Sequence, residues 1–217
     1  MQIDVARVLG LVTRSVTNFE KDGKPASAVT LTRLYDTSVD DLWDAVTSKE
    51  RIPRWFAAVE GDLQLGGRYQ VKGNAGGTIT ACTPPTHFAA TWEFGGAISW
   101  IDVRLAAERQ QARLTLEHTA IIEDHWNQFG PGAVGIGWDL ALAGLERYVA
   151  TGTSVDHETA EAWMVSPEGK DFMTASGEHW HVTSGVDPDE AKQRSDRTIA
   201  FYRGEMPPDI AHPGTGS

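Results

Sequence analysis

The sequence predicts an α+β domain in which an antiparallel sheet packs against one long helix. Two observations lead to this fold class. Between residues 61 and 122 apolar and polar residues alternate with a period of two, and short turns rich in Gly and Pro separate the runs. Such turns favour hairpins, because a parallel crossover needs a dozen or more residues. Residues 134–152 then carry apolar side chains at helical spacing.

The N-terminal part is predicted to contain a hairpin and a first helix. Two Val- and Thr-rich runs within residues 8–37 flank Asp22-Gly23, a dipeptide typical of hairpin turns. A helix follows, capped by Thr37 or Ser38, and Pro53 ends or kinks it. One face of this helix is apolar and consists of Val39, Leu42, Trp43 and Val46.

Six candidate strands follow, and their alternation assigns faces to the sheet. They are GDLQL (61–65), RYQVKG (68–73), GTITAC (77–82), THFAATWEF (86–94), SWIDVRLAAE (99–108) and ARLTLEHTAI (112–121). The apolar face should meet the long helix. On that helix we expect an apolar stripe that includes Trp138 and Leu142 to face the sheet, and Asp139, Glu146 and Arg147 to face away.

Composition excludes several classes of partner. The 217 residues hold 19 Lys and Arg against 30 Asp and Glu, a net charge of -11. This balance argues against nucleic acid and against anionic membrane surfaces, which both require clustered basic residues. A single cysteine, Cys82, excludes an intramolecular disulfide and a multi-cysteine zinc site, and we interpret it as a small packed residue. With no signal peptide or spanning segment apparent, the expected location is the cytoplasm.

The glycines of GPGAVG, residues 130–135, match the G-x-G-x-x-G pattern of dinucleotide-binding loops. That loop must follow a buried parallel strand and open a βαβ unit. Here DHWNQF and a run of antiparallel strands precede it. We therefore interpret the glycines as structural, required for tight turning and close packing.

Residues 153–217 are predicted to form a helical arm that cannot fold alone. Three helices are indicated, the second capped by Ser166 and the third by Asp187. The arm packs either on the main domain or on a second subunit, which would make a homodimer. The segment 206–217 is expected to be a frayed, disordered tail. His179 and His181 diverge on a helix, so we predict no metal site.

In this order of elements, residues 27–151 resemble the SRPBCC or START-like superfamily, and within it the homologues of the activator of heat-shock protein 90 ATPase. The similar stretches are DTSVDDLWDAVTSKERIPRWF, GGRYQV, FAATWEF, ARLTLEHTAI and GIGWDLALAGLERYV. The resemblance implies a helix-grip fold, a curved antiparallel sheet wrapped around a long helix and enclosing an apolar cavity. Residues 1–152 are then the helix-grip domain with its N-terminal hairpin, and 153–217 the additional arm.

The inward aromatic residues predict a cavity that binds an apolar or aromatic small molecule, with no cofactor and no metal. Indole N–H and phenol O–H groups would orient the guest. The candidate ligand-binding residues are Trp55, Tyr69, Phe88, Trp92, Val103, Leu116, His118, Trp126, Phe129 and Trp138. This function is that of a non-catalytic carrier, sensor or stress-protective protein.

Two alternatives remain open. One is a co-chaperone-like module that binds a protein partner through its surface. The other is a cyclase or hydrolase in which His118, the titratable residue on the inner face of the central strands, acts as general base. The purely structural interpretation of His118 is a histidine near the rim of the sheet that is hydrogen-bonded to backbone or water.

Overall fold

A computed structural model describes residues 4–154, 157–183 and 186–205. The helices are α1 (Val5–Gly10), α2 (Val39–Thr47), α3 (Asp124–Phe129), α4 (Gly132–Thr151), α5 (His157–Met164), α6 (Pro167–Thr183) and α7 (Pro188–Tyr202). The strands are β1 (Thr13–Lys21), β2 (Lys24–Tyr35), β3 (Val59–Gly61), β4 (Arg68–Val71), β5 (Gly76–Thr83), β6 (His87–Phe94), β7 (Ala97–Glu108) and β8 (Gln111–Ile121). The predicted tail lies outside the described residues.

All eight strands form one antiparallel sheet in the order β1-β2-β8-β7-β6-β5-β4-β3. The register aligns apolar residues in rows across the sheet, for example Leu31, Leu116, Val103 and Phe88 on β2, β8, β7 and β6. Side chains of one row point to the same face, so the row faces the long helix α4. The α+β helix-grip architecture predicted from the sequence is confirmed.

The local predictions around the first hairpin hold. β1 and β2 pair around Asp22 and Gly23, both of which have positive φ, as a two-residue hairpin turn requires. The hydroxyl of Ser38 accepts a hydrogen bond from the main chain of Asp41 and caps α2. The prediction that Pro53 ends or kinks this helix was wrong, because α2 ends at Thr47 and Pro53 lies in a separate 3-10 turn, Ile52–Arg54.

One predicted strand was wrong. Of GDLQL only Gly61 belongs to a strand, and the following residues form a loop in which Leu65 is exposed. The loop is held by main-chain hydrogen bonds that join Gly66 and Gly67 to Ile79. Five residues of alternating polarity fit a loop edge as well as a strand, and the pairing of β3 with β4 ends at Gly61, which has positive φ.

The C-terminal arm packs on its own domain, against the side of α4 that faces away from the cavity, where α6 also borders β1. Helices α6 and α7 both contact α4. A second apolar cluster forms there from residues of α1, α4, α5 and α6, namely Val8, Leu9, Ala143, Trp163 and Phe172. The caps predicted for α6 and α7 are present, since Ser166 accepts from Gly169 N and Asp187 from Asp189 N.

This packing corrects the prediction that Asp139 faces solvent. Asp139 is 1% exposed, and the guanidinium of Arg14 binds both of its carboxylate oxygens, at 2.7 and 3.1 Å. Ser176 and Trp180 on α6 donate two further hydrogen bonds to it, at 2.6 and 3.0 Å. The helical stripe of α4 was therefore identified correctly, but its polar face is covered by the arm instead of water.

Glu146, also predicted to face away, forms an ion pair with the buried Arg33 of β2 at 2.6 Å. The Arg33 side chain is 1% exposed and also donates to the carbonyl of Val8. The buried Arg14 of β1 and the buried Arg33 of β2 are thus each paired with a carboxylate of α4.

The glycines of GPGAVG serve this same interface. Gly130, at positive φ, turns the chain from α3 into α4. A side chain at Gly135 would collide with the ring of Trp180, and one at Gly132 would press on Thr198. Since helix α3 and not a strand precedes the motif, it lacks the βαβ context of a dinucleotide site.

Candidate functional site

An apolar cavity of about 290 Å³ lies between α4, α2 and the inner face of strands β4 to β8. Its lining consists of Trp43, Val46, Thr47, Ile52, Trp55, Phe56, Val59, Leu63, Tyr69, Val71, Ile79, Cys82, Pro84, Phe88, Ala90, Trp92, Ile101, Val103, Leu114, Leu116, Trp138, Ala141, Leu142 and Leu145. The partly exposed lining residues include Trp43, Phe56, Leu63 and Pro84. They indicate an opening between α2, the 3-10 segment and the loops beside β3 and β5.

Most of the candidate ligand-binding residues meet at this cavity. Those in its wall are Trp55, Tyr69, Phe88, Trp92, Val103, Leu116 and Trp138. They come from the end of the 3-10 turn, four strands and α4, and the strand register brings Phe88, Val103 and Leu116 side by side.

Trp126 and Phe129 are not in the cavity wall, although the aromatic pattern suggested it. Both are buried in or beside the short helix α3. Phe129 packs against Phe201 of the arm at 5.9 Å, and its carbonyl accepts a hydrogen bond from Thr198. Phe129 thus faces helix α7 of the arm, whereas Trp126 belongs to the main apolar core.

The polar atoms of three lining aromatics already have protein partners. Trp55 Nε1 donates to the carbonyl of Ala45 at 2.9 Å, and the Tyr69 hydroxyl donates to the carbonyl of Thr91 at 2.6 Å. Trp138 Nε1 donates to His118 Nδ1 at 2.9 Å. These three donors are therefore engaged within the protein, where they fix their rings. Burial raises the pKa of Tyr69, so its hydroxyl stays protonated.

His118 lies behind the wall, in a continuous chain of hydrogen bonds. Since Trp138 donates to Nδ1, the proton of the neutral ring is on Nε2, which donates to Ser99 Oγ at 2.8 Å. Ser99 in turn donates to the carbonyl of Trp92 at 3.0 Å. Burial lowers the pKa of His118 to about 4, so the ring is neutral at pH 7. With both nitrogens engaged and the side chain 2% exposed, His118 positions Trp138 and is no exposed base.

Sequence reasoning missed the half of the wall that surrounds the opening. Trp43 packs edge-on against Phe88 at 6.1 Å, and Phe56 stacks between Trp55 at 5.6 Å and Trp138 at 6.3 Å. The apolar face predicted for α2 already contained Trp43, which was the available signal. Cys82, interpreted as a packed residue, is half-buried and lines the cavity.

Alternation along β6 predicts that Phe94 shares the inner face with Trp92. It ends β6 beside the Gly95-Gly96 turn and is 61% exposed, because the hairpin extends beyond the packed core there.

A second concavity, an open groove of about 550 Å³, runs between α6 and α7. Its cations are paired within the protein, Lys192 with Asp196 at 2.8 Å and Arg203 with Glu205 at 3.1 Å. Such exposed pairs satisfy one another and offer no built site. Over the described ranges, no group of three or more His, Cys, Asp or Glu is placed to hold a metal ion, and no helix has the length and apolarity to cross a membrane.

The model of the family named activator of Hsp90 ATPase homolog 1-like protein matches residues 36–150, more than half of the chain. The chain belongs to this family. The match covers α2, the sheet from β3 to β8 and almost all of α4, which are the elements that enclose the cavity.

Two structures of CalU16 from Micromonospora echinospora are similar to this member of the family. The crystal structure is 29% identical and covers 81% of this chain and 99% of that one, with a TM-score of 0.67. The solution structure is 30% identical and covers 79% and 94%, with a TM-score of 0.68. EF2215 from Enterococcus faecalis is only 13% identical but covers 94% of this chain and 96% of its own, with a TM-score of 0.54, and shows the fold alone. No functionally curated protein matches the sequence.

Proposed function

We propose that this protein binds an apolar small molecule in the cavity between α4 and the sheet, as a carrier or sensor without catalysis. The observation that carries the proposal is the apolar wall itself. A well-packed core leaves few voids larger than a water molecule, whereas a ligand pocket is a concavity lined mainly by apolar and aromatic side chains. The 290 Å³ space fits the second description.

The rigidity of the wall supports a binding role. Hydrogen bonds hold the rings of Trp55, Tyr69 and Trp138 from behind, so their faces do not need to be ordered when a guest enters. Pre-ordered walls lower the entropic cost of association. The main chain of Trp55 also touches α4 at Gly144, where any side chain would collide with its carbonyl.

The chemistry of the wall supports binding over catalysis. The cyclase or hydrolase alternative requires His118 to reach a substrate, but Trp138 and Ser99 occupy both of its ring nitrogens. A general base must lie within hydrogen-bond reach of the proton it removes. The lining holds no histidine and no carboxylate.

The test uses two alanines that are neighbours on β6 but belong to opposite faces. Ala90 lines the cavity and is 1% exposed, whereas Ala89 faces away from α4. Native mass spectra of the purified protein, before and after organic extraction, should show a bound mass that extraction removes. The adduct should be absent from Ala90→Phe and present in Ala89→Phe, with both variants folded by circular dichroism.

An adduct that persists in folded Ala90→Phe would place the ligand elsewhere and end the proposal. The proposal would also end if the wild-type protein bound none of the apolar probes in calorimetric titrations.

Family membership favours a second candidate, a protein-binding module that acts on a chaperone. Its surface feature is the tip of the β6–β7 hairpin, where Phe94 and Ile98 are 61% and 55% exposed. Phe94 and Ile98 point to opposite faces of the hairpin, so each face offers one apolar side chain to a protein partner. The measurement is the ATPase rate of a purified Hsp90 with and without this protein. Stimulation that Phe94→Ser abolishes would support the module, and no stimulation at saturating protein would exclude it.

A further inference from the structure

The lining of the cavity restricts the charge of its ligand. No Asp, Glu, Lys, Arg or His is among the lining residues, all of which are described. Moving a charged group from water into an apolar space that holds no counter-ion costs free energy on the order of several kcal/mol or more. Fatty acids, organic phosphates and amines therefore find no counter-ion in the cavity.

The lining also restricts how many hydrogen bonds the ligand can make. Besides the three donors bound from behind, the hydroxyl of Thr47 donates to the carbonyl of Trp43 at 2.7 Å. Within the described chain, the indole N–H groups of Trp43 and Trp92 and the thiol of Cys82 make no hydrogen bond to protein. A guest with more than a few polar atoms would lose hydrogen bonds to water that the wall does not replace.

Aromatic rings dominate the shape of the space. Seven of the lining residues are aromatic, Trp43, Trp55, Phe56, Tyr69, Phe88, Trp92 and Trp138. Phe56 stacks between Trp55 and Trp138, whereas Trp43 meets Phe88 edge-on, and Trp92 and Trp138 are tilted at 55° and 5.1 Å apart. Each ring that meets a further π system in such a geometry contributes about 0.5–1.5 kcal/mol beyond the burial of area.

The volume favours a compact guest. At 290 Å³ the cavity is at the lower end of the roughly 300–1,000 Å³ of small-molecule pockets. A long flexible chain would also lose rotational freedom between walls that do not move, whereas a fused ring system has little to lose.

From these four constraints we infer that the cavity selects an uncharged, fused-ring aromatic molecule with few polar atoms. This inference rests on the proposed function, because it names the ligand class of the same cavity. It predicts discrimination on charge and on shape, and each kind is measured with one matched pair of probes.

The probes are methyl 2-naphthoate, 2-naphthoate and methyl decanoate, titrated by calorimetry at pH 7. Methyl 2-naphthoate and 2-naphthoate share their rings and differ in charge. Methyl 2-naphthoate and methyl decanoate share the ester group and differ in shape, and the alkyl chain of the decanoate is the more apolar of the two. We expect methyl 2-naphthoate to bind at least about ten-fold more tightly than either of the others, a difference of about 1.4 kcal/mol. Binding should be lost in Ala90→Phe and retained in Ala89→Phe.

The outcomes separate this inference from the proposed function. If 2-naphthoate or methyl decanoate binds as tightly as methyl 2-naphthoate, and Ala90→Phe abolishes that binding, the cavity binds ligands but the aromatic, uncharged class is wrong. If no probe shows binding that depends on Ala90, both the inference and the proposed function fail.

Discussion

The two sides of α4 are both buried but are packed in opposite ways. Towards the sheet, Trp138, Ala141 and Leu142 border a cavity whose wall contains no charge. Towards the arm, Asp139 and Gly135 meet α6 in close contact, with an ion pair and three helices filling the space. One helix thus separates a hollow side from a filled side. The difference teaches that burial alone does not distinguish packing from binding; the fit between facing surfaces does.

Breaking the ion pair on the filled side should have the largest effect. Asp139→Asn leaves the guanidinium of Arg14, 4% exposed, without a counter-charge. Removing one partner of a buried pair typically costs about 3–5 kcal/mol, and we expect a loss of that size in the free energy of unfolding from urea denaturation.

Asp196→Asn is the matched control, because Asp196 forms an exposed pair with Lys192 on the surface of α7. It should cost less than about 1 kcal/mol. Equal losses in the two variants would contradict the assignment of Asp139 as the anchor of the arm.

Enlarging an alanine on each side of α4 compares the two packings directly. Ala143 belongs to the cluster under the arm, whereas Ala141 lines the cavity. Ala143→Leu should destabilise the protein by about 1–3 kcal/mol, the usual cost of overpacking, and Ala141→Leu by less than about 1 kcal/mol because its methyl groups enter empty space. Thermal and urea unfolding of both variants measure this. If Ala141→Leu were the more costly of the two, the cavity would not be open space.

Acidification should weaken the hollow side through His118, an effect confined to acidic pH. Its pKa falls from 6.5 in the unfolded chain to about 4 in the fold, so the unfolded state binds the proton first as the pH drops. The stabilising contribution is complete above pH 6.5 and is lost progressively towards pH 4. Between pH 7 and pH 5 this amounts to about 2 kcal/mol.

His118→Gln isolates that contribution, since its amide oxygen still accepts from Trp138 and does not titrate. Burial also lowers the pKa of His125 and His179, so the variant keeps part of the pH dependence. Its unfolding free energy should change by about 2 kcal/mol less than that of the wild type between pH 7 and pH 5. Parallel curves would show that His118 is not the buried neutral group described above.

Local chemistry made several parts of the fold predictable from sequence. Asp22-Gly23 fixed the first hairpin, Ser38, Ser166 and Asp187 fixed helix starts, and alternation along β6 to β8 placed Val103 and Leu116 on the inner face. Each of these signals depends on neighbours within a few residues of the chain. The same short range explains the failure at GDLQL, where five alternating residues did not specify a partner strand.

The candidate site was predictable only in part. Which face of a strand a residue lies on follows from the local sequence, whereas a cavity depends on how distant elements pack together. Period two identified Phe88 and Trp92, but which rings border empty space depends on how α2, α4 and the loops meet. Phe56 and Leu63 come from irregular segments without a period, so no pattern assigned them a face. Phe129 obeyed the aromatic pattern yet turned towards the arm.

By itself the sequence determined the α+β class, the antiparallel sheet, the apolar stripe of α4 and the structural use of the GPGAVG glycines, since turn chemistry and periodicity act along the chain. Only the tertiary structure decided that Asp139 is buried against Arg14, that the arm covers α4 on the side away from the cavity, and that His118 faces Trp138 instead of a ligand. Those outcomes depend on contacts between residues up to 125 positions apart, where the cost of burying a charge or a donor is balanced by partners that no local pattern reveals.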